Sequence, residues 1–455
     1  MGRLCRVAAV VILAASPFVD RNGSAHQKAA APSPEWPQWG GPRRDFTVDA
    51  SGLAATWPPV GPKRLWSRPL GNGHSGIAAD AGRLFTMYRP PASGRGDDLC
   101  SEEEVVVALD AATGRTAWEH RYPSPNADRI FTSESHCGPH ATPLIVGERV
   151  FTVSTNKIFM ALDKQSGKLL WSHDFVKNFG TTPRNPLFIS VQHGFAPSPM
   201  AYKDTVITMA GGPGQGVMAF RQDDGRVVWR TGTFTDIANA SPILINVQGQ
   251  EQLVVLSADG AHGFDPATGA AEWNVTLNTW HGANNSTPVW SEKDGVLCIT
   301  SAYEGFREAL GGTHAITLTR KDGLTEPKEL WWNTRTAAHF GNMVRADSYY
   351  IVSDGDYGPA FLTALDAETG KELWRTRGLG KASFLLVNGK QLIILEEDGD
   401  LVLATPSREK LTIEARAPVL KKVARTAPTL VGTTVYVRDH ATIHAFDLGK
   451  STSSH

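Results

Sequence analysis

Asp163-Lys-Gln-Ser-Gly-Lys-Leu-Leu-Trp171 is the stretch that decides the fold, because the same pattern recurs along the chain. Each copy has an aspartate, a glycine and a tryptophan at the same spacing. The other copies are Asp110–Trp118, Asp265–Trp273 and Asp366–Trp374, and Arg221–Trp229 keeps the step from Gly225 to Trp229. Recurrence at intervals of roughly 40 to 60 residues is typical of repeat architectures. The pattern therefore predicts one assembly of like units instead of several independent domains.

Each residue of the motif has a structural reason. An aspartate at the end of a strand accepts hydrogen bonds from backbone N–H groups in the turn that follows. The glycine supplies the positive φ that a short hairpin with a bulge requires. The tryptophan offers a large flat surface for burial against a neighbouring unit. Around the motif, β-branched and aromatic runs alternate with turns, and Ser/Thr-Pro pairs introduce many first strands, which indicates four strands per unit.

The number of units follows from the tryptophans that close a fourth strand. Seven positions qualify: Trp66, Trp118, Trp171, Trp229, Trp273, Trp331 or Trp332, and Trp374. Residues 383–415 form a further unit without such a tryptophan. The last unit, residues 426–447, has three strands, and the lone early strand at residues 63–66 completes it. We therefore predict an all-β, eight-bladed β-propeller of four-stranded antiparallel blades, closed by pairing of the N-terminal strand with the C-terminal blade. Seven blades is the alternative if residues 383–415 are degenerate.

The N-terminal residues resemble an export signal. Basic residues precede the apolar run Val7–Ala15, which is too short to cross a bilayer as a helix. We expect cleavage after Ala25 or near Ala15, and no transmembrane segment; a disordered apolar N-terminus is the alternative. The expected organisation is a signal peptide at 1–25, a Pro/Gly-rich surface leader at 26–62, the propeller at 63–447 and a disordered tail at 448–455.

Charge and cysteine content exclude some functions. The chain has 45 Lys plus Arg and 46 Asp plus Glu, for a formal charge of −1. This balance gives no bulk attraction to nucleic acid, so we expect no nucleic-acid partner. Cys298 lies in an apolar strand and is expected to be a buried thiol. Cys100 and Cys137 lie at loop edges and are candidates for a disulfide in an oxidising compartment, although the sequence leaves their pairing open.

The repeated Ala-Leu-Asp-x-x-Thr-Gly-x-x-x-Trp unit resembles the pyrroloquinoline-quinone (PQQ) repeat. That repeat occurs in quinoprotein alcohol dehydrogenases and in the non-enzymatic lipoprotein of the outer-membrane barrel assembly machinery. The resemblance covers residues 63–447 and is strongest to exported bacterial PQQ-like propeller proteins, which also have a leader like Trp36–Pro42 and a segment like Gly378–Lys381. It implies a periplasmic or secreted protein. The dehydrogenases' adjacent cysteine pair is absent and their calcium ligands cannot be placed, so the site motifs do not support PQQ or calcium, and the cofactor is unknown.

Polar side chains precede the first strands of successive blades. In a propeller such segments gather on one face around the central channel, where a ligand site is expected. The candidates for a ligand site in this funnel are His74, His136, His140, His193, Asn239, His281, Asn284, His339 and Lys381, with Glu134, Arg184, Trp280 and Asn342 nearby. Imidazoles close together favour a transition metal or an anion. The alternative is that each histidine caps a strand or bonds a loop carbonyl.

Three functions remain open at this point. The first is an exported, non-catalytic scaffold that binds a protein or a small ligand at the funnel. The second is a PQQ-dependent dehydrogenase of alcohols or sugars with an atypical site. The third is a metal-binding or hydrolytic site built from the funnel histidines. Catalytic and metal-binding residues are unknown in all three.

Overall fold

Short strands joined by tight turns make up nearly all of the regular structure. The computed structural model describes residues 35–91, 101–125, 138–181, 194–234, 237–277, 279, 284–301, 311–339, 341–355, 360–421 and 423–450. These ranges contain the strands β1 to β33 and one short helix, α1 (Phe175–Phe179). Among the described residues, no helix has the length and hydropathy that a membrane crossing requires.

The strands form eight antiparallel blades, each built outward from a first strand. The first four blades are β3 (Ala78–Asp80), β4 (Arg83–Tyr88), β5 (Glu103–Asp110) and β6 (Thr116–Pro123); β7 (Leu144–Val146), β8 (Arg149–Val153), β9 (Ile158–Asp163) and β10 (Leu169–Asp174); β11 (Met200–Tyr202), β12 (Thr205–Met209), β13 (Val217–Arg221) and β14 (Val227–Thr231); and β15 (Ile243–Val247), β16 (Gln250–Leu256), β17 (Gly260–Phe264) and β18 (Ala271–Thr276).

The remaining four blades follow the same plan, and the two early strands β1 and β2 join the last two of them. They are β19 (Val289–Ser291), β20 (Val296–Ser301), β21 (Gly312–Lys321) and β22 (Leu324–Asn333); β23 (Met343–Ala346), β24 (Tyr349–Asp354), β25 (Phe361–Asp366) and β26 (Glu372–Arg377); β27 (Ser383–Val387), β28 (Gln391–Leu395), β29 (Asp400–Pro406) and β30 (Leu411–Pro418), with β1 (Thr47–Val48); and β31 (Thr429–Val431), β32 (Thr434–Arg438) and β33 (Thr442–Asp447), with β2 (Lys63–Pro69).

The ring closes between the early strand β2 and the last blade. β2 pairs antiparallel with β33, from Lys63 opposite Asp447 to Pro69 opposite Thr442. The first strand of blade 1, β3, contacts both β7 of blade 2 and β31 of blade 8. The predicted eight-bladed propeller and its closure are therefore confirmed. The seven-blade alternative is wrong, because residues 383–418 form a complete four-stranded blade even without a closing tryptophan.

The repeated motif holds neighbouring blades together at the outer edge. The indole of one blade lies over the turn glycine of the next: Trp66 over Gly114, Trp118 over Gly167, Trp171 over Gly225, Trp229 over Gly269 and Trp331 over Gly370. A Cβ on Gly269 would lie 2.7 Å from the Trp229 ring, and its φ of 75° is one that L side chains rarely adopt. The indole N–H donates across the junction, as Trp229 does to the Pro266 carbonyl at 3.2 Å. Glycine is thus required both for the turn and for the contact.

The junction between blades 4 and 5 departs from this arrangement. Blade 5 replaces the short turn with the long hairpin β21–β22, so no turn glycine receives the indole of Trp273. Trp273 instead donates to the side chain of Gln252 in its own blade at 2.8 Å. Gln252 in turn donates to Thr325 of the long hairpin at 2.6 Å. The buried amide of Gln252 therefore links blades 4 and 5 at a junction that lacks the contact between an indole and a turn glycine.

Residues 36–48, named here the base segment, cross from blade to blade within the propeller. Trp36 pairs with Ala79 of blade 1. At the other end, β1 pairs in parallel with β27 of blade 7. Trp36, Phe46 and Val48 are all buried. Within the Pro/Gly-rich leader, this stretch therefore packs its few apolar side chains against the first strands.

Arg44 fixes the middle of the base segment. Its guanidinium donates to the carbonyls of Ser198, Pro199 and Pro242 at 2.8, 3.0 and 2.6 Å. These carbonyls belong to blades 3 and 4, immediately before or at their first strands. The side chain is buried, and burial lowers the pKa of Arg44 to about 9, so the group stays protonated at neutral pH. One cation thus binds backbone carbonyls of two blades at once.

Candidate functional site

Two layers of side chains surround the channel at the start of the first strands. The lower ring is defined by one small or hydroxyl residue from each blade, namely Gly76, Thr142, Ser198, Ser241, Thr287, Gly341, Ser383 and Ala427. The upper ring is defined by the residues two positions earlier, namely His74, His140, Ala196, Asn239, Asn285, His339, Lys381 and Arg425. Residues two apart in extended backbone point to the same side, which places both rings toward the channel.

A single cavity lies inside these rings. It encloses about 1030 Å³, including the space at its open mouth. Every upper-ring residue except Lys381 lines it, and so do all lower-ring residues except Gly76 and Thr142. The remaining lining residues are Trp39, Phe46, Gly194, Ser286 and Asn342. Its size and its position on the channel axis are those of a ligand site.

The base segment forms the floor of the cavity. Trp39 and Phe46 pack edge to face, with ring centroids 5.1 Å apart. The indole N–H of Trp39 donates to the Thr287 hydroxyl of the lower ring at 2.8 Å. Because this contact is to the lower ring, the floor lies on the side of the first strands, opposite the upper ring. The base segment therefore bounds the cavity on the side of the lower ring.

Hydroxyl groups of the lower ring are bonded to neighbouring blades. The N–H of Thr142 donates to the Ser198 hydroxyl, and the N–H of Ser198 donates to the Ser241 hydroxyl, both at 2.9 Å. Beside this ring, Ser286 donates to the Gly341 carbonyl at 2.8 Å. The Ser/Thr-Pro pairs thus connect the first strands around the channel, a role that their position in the sequence did not reveal.

Histidines cluster where blades 8, 1 and 2 meet. The rings of His74 and His140 stack with centroids 5.5 Å apart, and His440 meets His74 edge-on at 4.4 Å. Burial and the nearby Arg438 and Arg425 lower the pKa of His440 to about 4. The His440 ring is therefore neutral at physiological pH, chiefly because it is buried.

Acidic groups near the upper ring are already paired. Glu397 accepts from Arg425 at 2.7 and 2.8 Å. The ammonium of Lys381 is 4.0 Å from the other oxygen of the same carboxylate. The described lining of the cavity itself contains no carboxylate. Calcium prefers six to eight oxygen ligands including carboxylates, so the described lining does not fit a calcium-bound quinone.

The predicted site residues separate into three groups. His74, His140, Asn239 and His339 line the one cavity. Asn284 is buried and donates to the Ser257 carbonyl at 2.8 Å, and Lys381 lies beside Glu397. His136, His193 and His281, like Glu134, Arg184, Trp280, Cys100 and Cys137, lie outside the described residues. Among the residues that are described, no group of three His, Cys, Asp or Glu is arranged to hold a metal ion.

Cys298 is buried on β20, the second strand of blade 5, and does not line the cavity. Its sulfur lies 3.7 Å from the sulfur of Met343. Burial raises the pKa of the Cys298 thiol well above its usual range. The expectation of a buried thiol is confirmed.

Sequence reasoning missed several lining residues. Asn285 and Arg425 occupy the upper ring, and a fixed offset of two residues before the small or hydroxyl position identifies both of them. Trp39 and Phe46 carry no such signal, because the base segment occurs once and has no repeat against which its register can be set. The two-residue offset could therefore have identified the residues that form the walls of the cavity. No comparable repeat in the sequence could have identified Trp39 and Phe46 as its floor.

The comparisons with known proteins agree with this fold. Residues 54–186 and 101–376 match the sequence profile of the family described as outer membrane protein assembly factor BamB. The protein of that name from Yersinia pestis is 23% identical over 309 residues, which span 66% of this chain and 72% of the relative. Quinohemoprotein alcohol dehydrogenase ADH IIB from Pseudomonas putida is 28% identical over 130 residues, 28% of this chain and 17% of the enzyme.

A solved structure extends the likeness to the whole propeller. BamB from Moraxella catarrhalis superposes with a TM-score of 0.55 at 16% identity, covering 86% of this chain and 98% of that one. At this identity the likeness shows the fold alone. The family profile, which matches more than half of the chain, shows that the chain belongs to the PQQ-like β-propeller family described as outer membrane protein assembly factor BamB.

Proposed function

We propose that the protein is an exported, non-catalytic propeller scaffold that binds a protein or a small ligand through the face bearing the upper ring. Its location would be periplasmic or associated with the outer membrane. Similarity to outer membrane protein assembly factors supports both parts of the proposal. The observation that carries it is the cavity inside the rings, to which seven blades contribute upper-ring residues.

The chemistry of the cavity suits binding better than catalysis. A general base or nucleophile is normally activated by a close partner whose own orientation is fixed. The described lining offers amides, hydroxyls and imidazoles, and its cation, Arg425, is paired with Glu397. Such hydrogen-bonding groups recognise a ligand by shape and polarity.

Site-specific photo-cross-linking tests the binding face. Ala196 lines the cavity without carrying a bonded polar side chain, so p-benzoylphenylalanine at this position should leave the fold intact. Val228 on the outer strand of blade 3 is 45% exposed and is the matched control in the same blade. Irradiation of intact producing cells should give a defined adduct from position 196 and none from position 228. Adducts from position 228 alone, or equal adducts from both positions, would contradict the proposal.

Reconstitution tests the dehydrogenase alternative, which the match to a quinohemoprotein enzyme motivates. The purified full chain is incubated with PQQ and calcium chloride, desalted, and examined for quinone absorbance and for dye reduction with ethanol or glucose. We expect neither retained quinone nor turnover. One retained quinone per chain together with substrate-dependent dye reduction would replace the scaffold proposal with the dehydrogenase.

A further inference from the structure

We propose that the cavity binds an oxyanion, the carboxylate or phosphate group of a small ligand, at the hydroxyls of Ser198, Ser241 and Thr287 and the side-chain amide of Asn285. These four side chains come from blades 3, 4 and 5 and are named here the donor arc. The inference deepens the proposed function, on which it rests, by naming the chemical class of the ligand. Unused hydrogen-bond donors and a buried cation beside them carry it.

Each hydroxyl of the donor arc accepts a hydrogen bond and keeps its own hydrogen. Ser198 accepts from the Thr142 N–H and Ser241 accepts from the Ser198 N–H, both at 2.9 Å, and Thr287 accepts from the Trp39 indole at 2.8 Å. Within the described part of the chain, none of the three hydroxyls donates to a protein acceptor. A hydroxyl has one donor besides its acceptor sites, so three O–H donors remain for a ligand.

The three hydroxyl side chains lie at the wall of the cavity. Ser198, Ser241 and Thr287 all line it and are 2%, 4% and 4% exposed. A hydrogen bond requires access to one oxygen atom and not to the face of a side chain. A buried donor without an acceptor is costly, because its hydration is lost and nothing replaces it. A group with several oxygen atoms would supply the acceptors that the surrounding protein does not.

Asn285 extends the donor arc into the upper ring. It lies two residues before Thr287 and lines the cavity in a half-buried position. Its side-chain amide makes no hydrogen bond to any residue that the structure describes. The preceding Asn284, by contrast, is buried and donates to the Ser257 carbonyl at 2.8 Å. Of these two asparagines, Asn285 is therefore the one whose amide can donate to a ligand.

A buried cation lies directly beside the donor arc. Arg44 donates to the carbonyl of Ser198 itself at 2.8 Å and to those of Pro199 and Pro242. Its fourth acceptor is the side-chain oxygen of Gln38 at 3.3 Å, and no carboxylate among the described residues pairs with it. Buried charges are normally paired with an opposite charge. The missing countercharge favours an anion over a neutral acceptor in the adjacent cavity.

The surroundings of the cavity are compatible with a negative charge. Its described lining contains no carboxylate. Glu397, beside the upper ring, is paired with Arg425 at 2.7 Å and lies 4.0 Å from Lys381. Hydrogen bonds to an ionised acceptor are stronger than those to a neutral one, and an oxyanion can accept from several donors at once. Fixed donors, a nearby cation and a lining without carboxylates together select an oxyanion.

Nuclear magnetic resonance of two small anions provides the test. Inorganic phosphate is observed by its phosphorus signal and trifluoroacetate by its fluorine signal, each with the full chain at constant ionic strength in sodium chloride. The first anion represents a phosphate ligand and the second a carboxylate ligand. We expect saturable line broadening of at least one of them, with one site per chain. Absence of saturable broadening for both anions would overturn the inference.

A charge variant assigns the binding to the donor arc. Asn285→Asp replaces an amide donor with a negative charge of the same shape and should weaken binding at least about tenfold. Asn274→Asp, at an exposed position on the outer strand of blade 4, makes the same change in net charge and is the matched control. It should bind as the unaltered chain does. Equal weakening in the two variants, or none in either, would contradict the donor arc.

A hydroxyl variant tests the lower ring separately. Ser241→Ala removes one O–H donor and should weaken binding several-fold, whereas Ser67→Ala, at an exposed position on β2, should leave it unchanged. If circular dichroism shows that Ser241→Ala is misfolded, Asn285→Ala takes its place. Unchanged affinity in the folded variant would contradict the proposed role of the donors.

The outcome is separable from that of the proposed function. Cross-linking from position 196 without saturable anion binding would overturn the oxyanion site and leave the scaffold in place. Absence of cross-links together with absence of anion binding would remove both.

Discussion

The outer rim and the base segment stabilise the same ring by opposite strategies. At the rim, an indole over a turn glycine occurs at five junctions, so each contact is one of several similar ones. At the base, one stretch of thirteen residues meets blades 1, 2, 3, 4, 5 and 7 through contacts that differ from blade to blade. The rim therefore distributes stability around the ring, whereas the base concentrates it in a few side chains.

This difference has a consequence for mutations. Loss of a rim contact affects one junction between two blades, and the four other junctions of the same type are unchanged. Loss of a base contact releases a segment that no other part of the chain replaces. The base should thus be more sensitive to single substitutions, even though its residues recur nowhere in the sequence.

The largest effect is expected at Arg44. Arg44→Met leaves three buried carbonyls without a donor, each of which costs about 1 to 3 kcal/mol, so we expect a loss of about 4 kcal/mol in the free energy of unfolding. Urea denaturation followed by circular dichroism measures it. The neighbour Arg43 is half exposed and pairs with Asp49 at the surface, so Arg43→Met should cost less than about 0.5 kcal/mol. Similar losses in the two variants would contradict the claim that a few buried side chains of the base segment carry most of its stabilisation.

Two glycines of blade 4 isolate the rim contact. Gly269→Ala pushes a methyl group against Trp229 and also strains a positive φ, for an expected cost of about 3 kcal/mol. Gly249 also has a positive φ, but a methyl group there would meet open space, so Gly249→Ala should cost about 1 kcal/mol. Chemical denaturation of both variants gives the difference. If the two variants lose the same free energy of unfolding, the cost at Gly269 comes from the turn geometry alone and the indole contact adds no stability.

Acid should lower the free energy of unfolding through protonation of His440. The unfolded chain protonates this histidine near its ordinary pKa, whereas the folded protein keeps it neutral down to about pH 4. The contribution of His440 to the free energy of unfolding is therefore constant above pH 6.5. It falls by on the order of 2 kcal/mol as the pH decreases from 6.5 to 4. His440→Asn should reduce this pH dependence in denaturation curves recorded between pH 4 and 8. An unchanged pH dependence in the variant would show that His440 is not the group responsible.

The smallest effect is expected for the hydrogen bond between floor and wall. Trp39→Phe and Thr287→Val each remove one partner and should each cost about 1 kcal/mol in the free energy of unfolding. Because the same bond is lost in both, the double variant should cost clearly less than their sum. Additive costs in this double-mutant cycle would indicate that the two residues act independently and that the floor is not attached at Thr287.

The repeat made the ring predictable from the sequence. Asp163, Gly167 and Trp171 recur with fixed spacing, so periodicity alone gave the blade type, the number of blades and the closure by residues 63–66. Weak periodicity left residues 383–415 ambiguous, because this unit lacks the closing tryptophan. In blade 7, Ala415 lies opposite Leu403 beside the bulge, where blade 6 has Trp374 opposite Ala364.

The candidate site was predictable only in part. His74 and His339 stood out because imidazoles before a first strand are unusual polar groups, and both line the cavity. The floor was not predictable, since the path of residues 36–48 depends on tertiary contacts such as Arg44 with carbonyls more than 150 positions away. Local sequence carries no record of such partners. The hydrogen bonds of the lower ring were also not predictable, because residue type does not show that the Ser198 and Ser241 hydroxyls accept from backbone N–H groups of neighbouring blades.

Hydrogen exchange of the base segment, followed by mass spectrometry on the full chain, tests the central claim most directly. Peptides covering residues 36–48 should exchange as slowly as those covering β27, because Trp36 and Phe46 donate to backbone carbonyls and β1 pairs with a first strand. Exchange of residues 36–48 within seconds, while β27 stays protected, would mean that the segment is not held against the first strands, and the cavity would have no floor.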